Sequence, residues 1–168
     1  MRIDLHVSRL TSQYHPRIVL SAMTQIHANC VALGSYAILL RGPSGSGKSN
    51  LSLRLVRAGG RLVSDDRTDI LARDGKLIAS APIQIARLCE VRGIGIVRGL
   101  AHQAAGDVRV LFDLVADPAG VERMPEPRSE TFCGISIPSW KIWPFDMAVE
   151  AKIEVALALA TGEMQLET

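Results

Sequence analysis

Residues Gly42, Pro43, Ser44, Gly45, Ser46, Gly47, Lys48 and Ser49 constrain this chain more than any other feature, because they fit G-x-x-x-x-G-K-[ST] at every fixed position. Glycines at those places let backbone N–H groups curl around a phosphate, and the helix that follows offers its positive N-terminus. Lys48 then reaches the β/γ-phosphates of a nucleotide, and the Ser49 hydroxyl ligates Mg²⁺. The context agrees. An apolar run, Tyr36-Ala37-Ile38-Leu39-Leu40, leads into the loop. Leu51, Leu55 and Val56 follow it at helical spacing until Gly59-Gly60 ends the helix. The implied ligand is ATP·Mg²⁺.

A strand–loop–helix unit of this kind belongs in a sheet, and the rest of the chain supplies one. Arg61-Leu62-Val63-Ser64 reads as a short strand, and 108–116 as a buried one. Gly34-Ser35 and Asp74-Gly75 each sit between apolar runs as hairpin turns. Residues 117–129 hold three prolines and read as loop, and Ile135–Ile137 and 141–143 as short strands. Asp146 is placed to cap a helix over 147–160, with Val149, Ile153 and Leu157 inward and Gly162 at its end. An edge strand is sketched over 2–7. The expectation is α/β: a single P-loop kinase domain over 25–168 with a mixed sheet, preceded by an N-terminal segment, 1–24.

The 168 residues suit one domain, and an apolar fraction of 48% suffices for a core. A net charge of +2 argues against nucleic acid or an anionic membrane as partner. Three scattered cysteines form neither a disulfide framework nor a CxxC pair. No run has the length of a membrane span, and residues 1–23 lack the apolar stretch of a secretory signal. A soluble cytoplasmic protein is expected.

Further residues carry chemistry beside the loop. Asp65-Asp66 ends the strand after the P-loop helix, where a neighbouring strand returns to the phosphates. One carboxylate there can hold Mg²⁺ and the other can accept a proton from a hydroxyl nucleophile. Glu90-Val91-Arg92-Gly93-Ile94-Gly95 puts an acid and a guanidinium two residues apart, on one face if the segment is extended. Phe132, Trp140, Trp143 and Phe145, four of the chain's seven aromatic residues, crowd one stretch. They suit either core filling or a surface for a partner or nucleobase.

Taken together, His27 in an Ile-His-Ala segment, the P-loop, the Asp65-Asp66 strand and Glu90-Val91-Arg92-Gly93-Ile94-Gly95-Ile96 resemble the catalytic domain of the HPr kinase/phosphorylase family. The resemblance spans roughly 25–99, with a looser tail to residue 160. It implies a fold related to phosphoenolpyruvate carboxykinase-type P-loop domains. It implies His27 and Lys48 as active-site residues, and Ser49 and Glu90 as Mg²⁺ ligands helped by Asp65. Asp66 becomes the acid that deprotonates a target serine, and Arg92 joins the catalytic set. The implied acceptor is an HPr-like phosphocarrier of the phosphotransferase system, and the family forms homo-oligomers.

Two departures qualify the resemblance. Only 26 residues precede His27, where family members carry a further domain, so a short, catalytic-domain-only form is expected. Where the family has a Pro-Gly-Arg-Asn run, this chain reads Trp143-Pro144-Phe145-Asp146, without the arginine. Lys141 and Lys152 are the nearby cations. The expectation is a serine kinase with weak phosphorylase activity. The alternative is an ATP-sensing regulatory module with little turnover that relays its state to a partner such as a sensor kinase.

Overall fold

The computed structural model describes residues 23–167. The strand sketched over 2–7 lies outside them. Among the described residues, nine of the eleven strands form a mixed sheet covered on one face by two α-helices, the α/β class expected.

Two local turns set the first half. Strand β2 (Ala28–Leu33) and strand β3 (Tyr36–Arg41) pair antiparallel across Gly34-Ser35. Strand β5 (Thr68–Arg73) and strand β6 (Lys76–Ser80) pair across Asp74 and Gly75, whose φ values of 52° and 71° are those of a type I′ turn. Between these hairpins come helix α1 (Lys48–Arg57) and strand β4 (Arg61–Ser64). Helix α1 ends in a Schellman motif: Gly60 N–H donates to Leu55 O at 2.9 Å and Gly59 N–H to Val56 O at 3.2 Å.

Strand β9 (Ala105–Leu114) is the seam of the sheet. One edge runs parallel to β3; the other pairs first antiparallel with β6 and then parallel with β11 (Ile135–Ile142). The full order is β1 (Thr24–Ile26)-β5-β6-β9-β3-β2-β4. Strand β10 (Arg128–Phe132) extends β11 antiparallel. Sequence reading split β11 in two around Pro138. In the structure, Pro138 lies where β11 has not yet joined β9, which pairs only from Ser139 on, so its missing N–H costs that ladder nothing. Strand β10 likewise reaches back into the segment read as loop, as far as Arg128.

Alternation along β3 builds two cores. Ile38 and Leu40 face helices α1 and α2 (Val149–Thr161), with Leu51, Leu55, Phe112 and Ile153, while Ala37 and Leu39 face the other side, with Ile70, Leu77 and Leu111. Val108 and Val110 belong to opposite cores although two apart. A register shift pairs Ala37 with Val108 but Ile38 with Val110, so one extra residue switches the phase of β9. At the N-terminus of α2, Asp146 accepts the Ala148 N–H at 2.8 Å, but the cap position is Ala148 and the helix begins two residues later than expected.

Outside the sheet, strand β7 (Leu88–Val91) and strand β8 (Gly95–Arg98) form a separate hairpin. Arg92 therefore sits in a turn, not in a strand with Glu90, because the φ of 83° at Gly93 reverses the chain there. Cys89 and Val97 turn inward on the helix-side core, while Glu90 and Ile96, opposite each other, face out.

Candidate active site

The C-terminal end of β3, the start of α1, the end of β4 and the β7–β8 hairpin surround one cleft of about 290 Å³. It is bordered by Ser44, Gly45, Gly47, Lys48 and Ser49 from the loop, by Asp65 and Asp66 after β4, and by Glu90 and Arg92 from the hairpin. Residues far apart in the chain are thus gathered as the sequence led one to expect. His27 does not line the cleft but reaches it through Asp66, with Nε2 at 2.9 Å from Oδ1.

The loop 42–49 is shaped as a cradle. Gly47 has φ 97°, and a Cβ there would stand 3.1 Å from Pro144 Cγ and 3.3 Å from Phe145 Cζ. A Cβ on Gly42 would strike Ser46 Oγ at 2.6 Å. Helix α1 has no side-chain cap, so its first N–H groups are left for a ligand. Ser46 Oγ is buried without a hydrogen-bond partner. Lys48, 6% exposed as a residue, donates from its ammonium to the loop's own carbonyls, Gly42 O at 2.7 Å and Pro43 O at 3.1 Å. Burial lowers its pKa from the ordinary lysine value, against the pull of Asp66 and Asp65.

The two aspartates have opposite surroundings. Asp65 is buried and accepts three hydrogen bonds: from Asn29 Nδ2 at 2.6 Å, Ser49 Oγ at 2.8 Å and the Glu90 N–H at 2.8 Å. Asp66 is exposed, holds a left-handed backbone with φ 68°, and donates its N–H to Asn29 Oδ1 at 2.9 Å. Asn29, fully buried on β2, therefore holds both acids, and it also donates to Ser52 Oγ at 3.0 Å. Sequence reading passed over it. The available signal was a lone amide in an otherwise apolar strand, ANCVAL. Beneath Asp65 lies Cys89, whose thiol is pushed up to about 12 by burial and by that carboxylate, and so stays protonated.

These groups fit a nucleoside triphosphate with Mg²⁺. The cradle, the uncapped helix and the unpartnered Ser46 hydroxyl suit phosphate oxygens, and the paired oxygens of Ser49 and Asp65 suit a hard cation. Among the described residues no three His, Cys, Asp or Glu side chains cluster as a metal site. Mg²⁺ binds through one or two carboxylates with phosphate and water, so it needs no such cluster. Lys141 and Lys152 do not border this cleft; both line a second cavity, where Lys152 pairs with Asp146. The four aromatics divide as well. Phe145 borders the cleft, Trp140 and Trp143 the second cavity, and Phe132 packs on the other core.

Residues 19–110, more than half of the chain, match the profile of the HPr Serine kinase C-terminal domain. The chain belongs to this family. Curated HPr kinase/phosphorylases are similar to it: that of Lactobacillus acidophilus is 31% identical over 92% of this chain and 50% of its own length. That of a Geobacillus strain is 41% identical over 65% of this chain and 36% of its own. The chain thus spans half or less of the curated relatives it matches. Among solved structures, the Hpr(Ser) kinase/phosphatase from Coxiella burnetii superposes with a TM-score of 0.70 at 28% identity, covering 84% of this chain and 98% of that one. The family's domain is therefore present here as the mixed α/β sheet just described. No helix among the described residues is long and apolar enough to cross a membrane.

Proposed function

We propose that this chain is an ATP-dependent serine kinase acting on an HPr-like phosphocarrier of the phosphotransferase system, with residues 25–168 as its catalytic domain and the cytoplasm as its place. The observation that carries the reading is the division of labour between two adjacent acids. Asp65 is drawn onto Ser49, and Asp66 is left exposed beside His27. Family membership and the neighbour named Hpr(Ser) kinase/phosphatase support the choice of acceptor.

In this reading, Lys48 leaves the Gly42 and Pro43 carbonyls for the β/γ-phosphate oxygens. Ser49 and Asp65, with Glu90 at the rim, hold Mg²⁺. The metal, when bound, neutralises charge on the phosphate oxygens. Asp66 takes the proton of the serine hydroxyl, which matters because an unperturbed hydroxyl is a weak nucleophile. His27 orients the Asp66 carboxylate through its 2.9 Å contact, and Arg92 presents a guanidinium from the hairpin turn. A kinship with phosphoenolpyruvate carboxykinase-type P-loop folds belongs to the same proposal.

The reverse reaction brings inorganic phosphate beside a phosphoserine and needs a further cation. Residues 143–146 supply none, and Lys141 and Lys152 line the other cavity. Phosphorolysis is therefore weak in this proposal. The test is transfer of label from ATP to serine on an HPr-like protein, with pyrophosphate release from the phosphorylated acceptor as the reverse arm. ATP·Mg²⁺ binding without transfer would replace the kinase with the nucleotide-sensing reading. Pyrophosphate release at the forward rate would overturn the kinase bias.

A further inference from the structure

A second cavity, larger than the cleft, lies elsewhere among the described residues. It measures about 790 Å³ and opens between β11, helix α2 and the proline-containing segment after β9. Its apolar lining includes Phe112 and Trp140, whose ring centroids are 6.4 Å apart, together with Trp143, Val149 and Ala156. Four cations border it. Arg128 is held by Glu122 at 3.0 Å, and Lys152 pairs with Asp146. Arg123 and Lys141 are exposed and, among the described residues, have no carboxylate within ion-pairing distance. Of the acids on the same lining, Glu122 and Asp146 are taken by Arg128 and Lys152 and only Glu126 is uncommitted, so the rim of this apolar, aromatic-lined hollow stays net positive, the composition of a small-molecule site.

The cavity shares a wall with the cleft. Trp143 and Asp146 face the cavity, and Phe145 faces the cleft. Trp143 and Phe145 meet edge to face at 6.0 Å, and Pro144 stands against Gly47 of the phosphate loop. The segment is also tied to the helix that starts the loop's far side: Arg54 of α1 donates to Pro144 O at 2.9 Å and grips Glu150 of α2 at 2.6 Å. A body filling the hollow contacts Trp143, whose ring touches Phe145 at the cleft edge, and the next residue, Pro144, stands at Gly47.

We propose that this cavity binds an organic carboxylate with an apolar body, and that its occupancy is coupled to nucleotide binding in the cleft. The apolar body packs on Trp140 and Trp143, and the carboxylate meets Arg123 and Lys141. The coupling half rests on the nucleotide reading of the cleft; the binding half does not. Coupling is reciprocal: each ligand changes the affinity of the other by the same factor.

The protein reports on itself, because both of its tryptophans line the cavity. Decanoate and naphthalene-2-carboxylate, below their aggregation concentrations, are titrated against tryptophan emission, with decanol and decyltrimethylammonium as uncharged and cationic controls. A saturable change is expected with one or both carboxylates, and which one responds tells an acyl from an aromatic body. The alcohol should bind about tenfold or more weakly, and Arg123→Ala/Lys141→Ala should erase that preference without altering the far-ultraviolet circular dichroism. Calorimetry of ATP·Mg²⁺ with and without the bound carboxylate should show at least an approximately fivefold change in affinity, matched in the converse titration. No carboxylate binding, or equal binding of carboxylate and alcohol, overturns the site. A cavity closed by a second copy, seen as a dimer in sedimentation with unresponsive tryptophans, overturns it too. Binding of both ligands without mutual effect overturns the coupling. Carboxylate binding in a protein that ignores ATP leaves the cavity assignment standing and removes the kinase reading instead.

Discussion

The two ends of the cleft are built on opposite plans. At the acid end the buried polar groups are already engaged by protein: Asn29 binds Asp65, the Asp66 N–H and Ser52, while Asp65 binds Ser49 and the Glu90 N–H. At the loop end the groups wait. Ser46 Oγ has no partner, α1 has no side-chain cap, and Lys48 rests on carbonyls of its own loop. One end has its hydrogen bonds made before any ligand arrives, and the other keeps groups unpaired that a phosphate would engage. A hydroxyl acceptor needs a base in fixed position, whereas a phosphate supplies enough charge to order a loop around itself.

The strongest way to break this contrast is Asp66→Asn. Asparagine tolerates the left-handed backbone at φ 68°, so the variant removes only the carboxylate. Transfer to serine should fall by about 10²–10⁴-fold with ATP·Mg²⁺ affinity unchanged in calorimetry. A parallel loss of nucleotide affinity would show that both acids serve the metal. Next comes Lys48→Ala, expected to lower transfer by about 10²–10³-fold and, unlike Asp66→Asn, to weaken ATP binding as well. Its thermal stability should hold, because the only bonds lost are to two loop carbonyls; a collapse on heating would mean that the loop end is structural.

Asn29→Ala sharpens the comparison from the other side. It removes one of the three donors to the buried Asp65 carboxylate and leaves the Asp66 N–H without its acceptor, and should cost about 1–3 kcal/mol in chemical denaturation. Ser44→Ala, at an exposed position on the loop end, should cost nothing measurable. Equal costs would dissolve the distinction. The smallest effect is one of pH. Burial keeps the Lys48 pKa below its unfolded value near ~10.4, so between those values the unfolded chain binds more protons and stability rises with pH. That rise should be missing from Lys48→Ala in alkaline denaturation curves.

What could be read beforehand followed the range of the interactions. The phosphate loop, the Asp74-Gly75 turn, the Gly59-Gly60 cap and the Asp65-Asp66 strand end are each specified within a few residues, and each appears where the sequence put it. Asn29 escaped notice because its partners lie up to 37 residues away and nothing local marks a buried amide as a hub. Whether Glu90 and Arg92 share a face depended on the segment being extended, and the turn that parts them depends on the backbone at Gly93. The aromatic stretch 132–145 was the least legible. Its side chains fall on β10, on β11 and past the end of β11, so one crowded segment supplies a core residue, a cavity wall and a cleft edge.

Strand β9 has a consequence for how the chain comes to be folded. The strand that delivers the phosphate loop, β3, buries Ala37 through Leu40 completely, yet only its β2 edge is satisfied by nearby sequence. Its other edge waits for β9, and the contact that finishes the pairing, Arg41 with Asp113, spans 72 residues. During synthesis the most apolar strand of the protein therefore stands with a bare hydrogen-bonding edge until more than half of the chain has been made. Such an edge is a template for another chain's strand. Non-local closure of this kind also slows folding. The nucleotide loop is thus specified early in the sequence but acquires its shape late, once β9 has docked and Pro144 has reached Gly47.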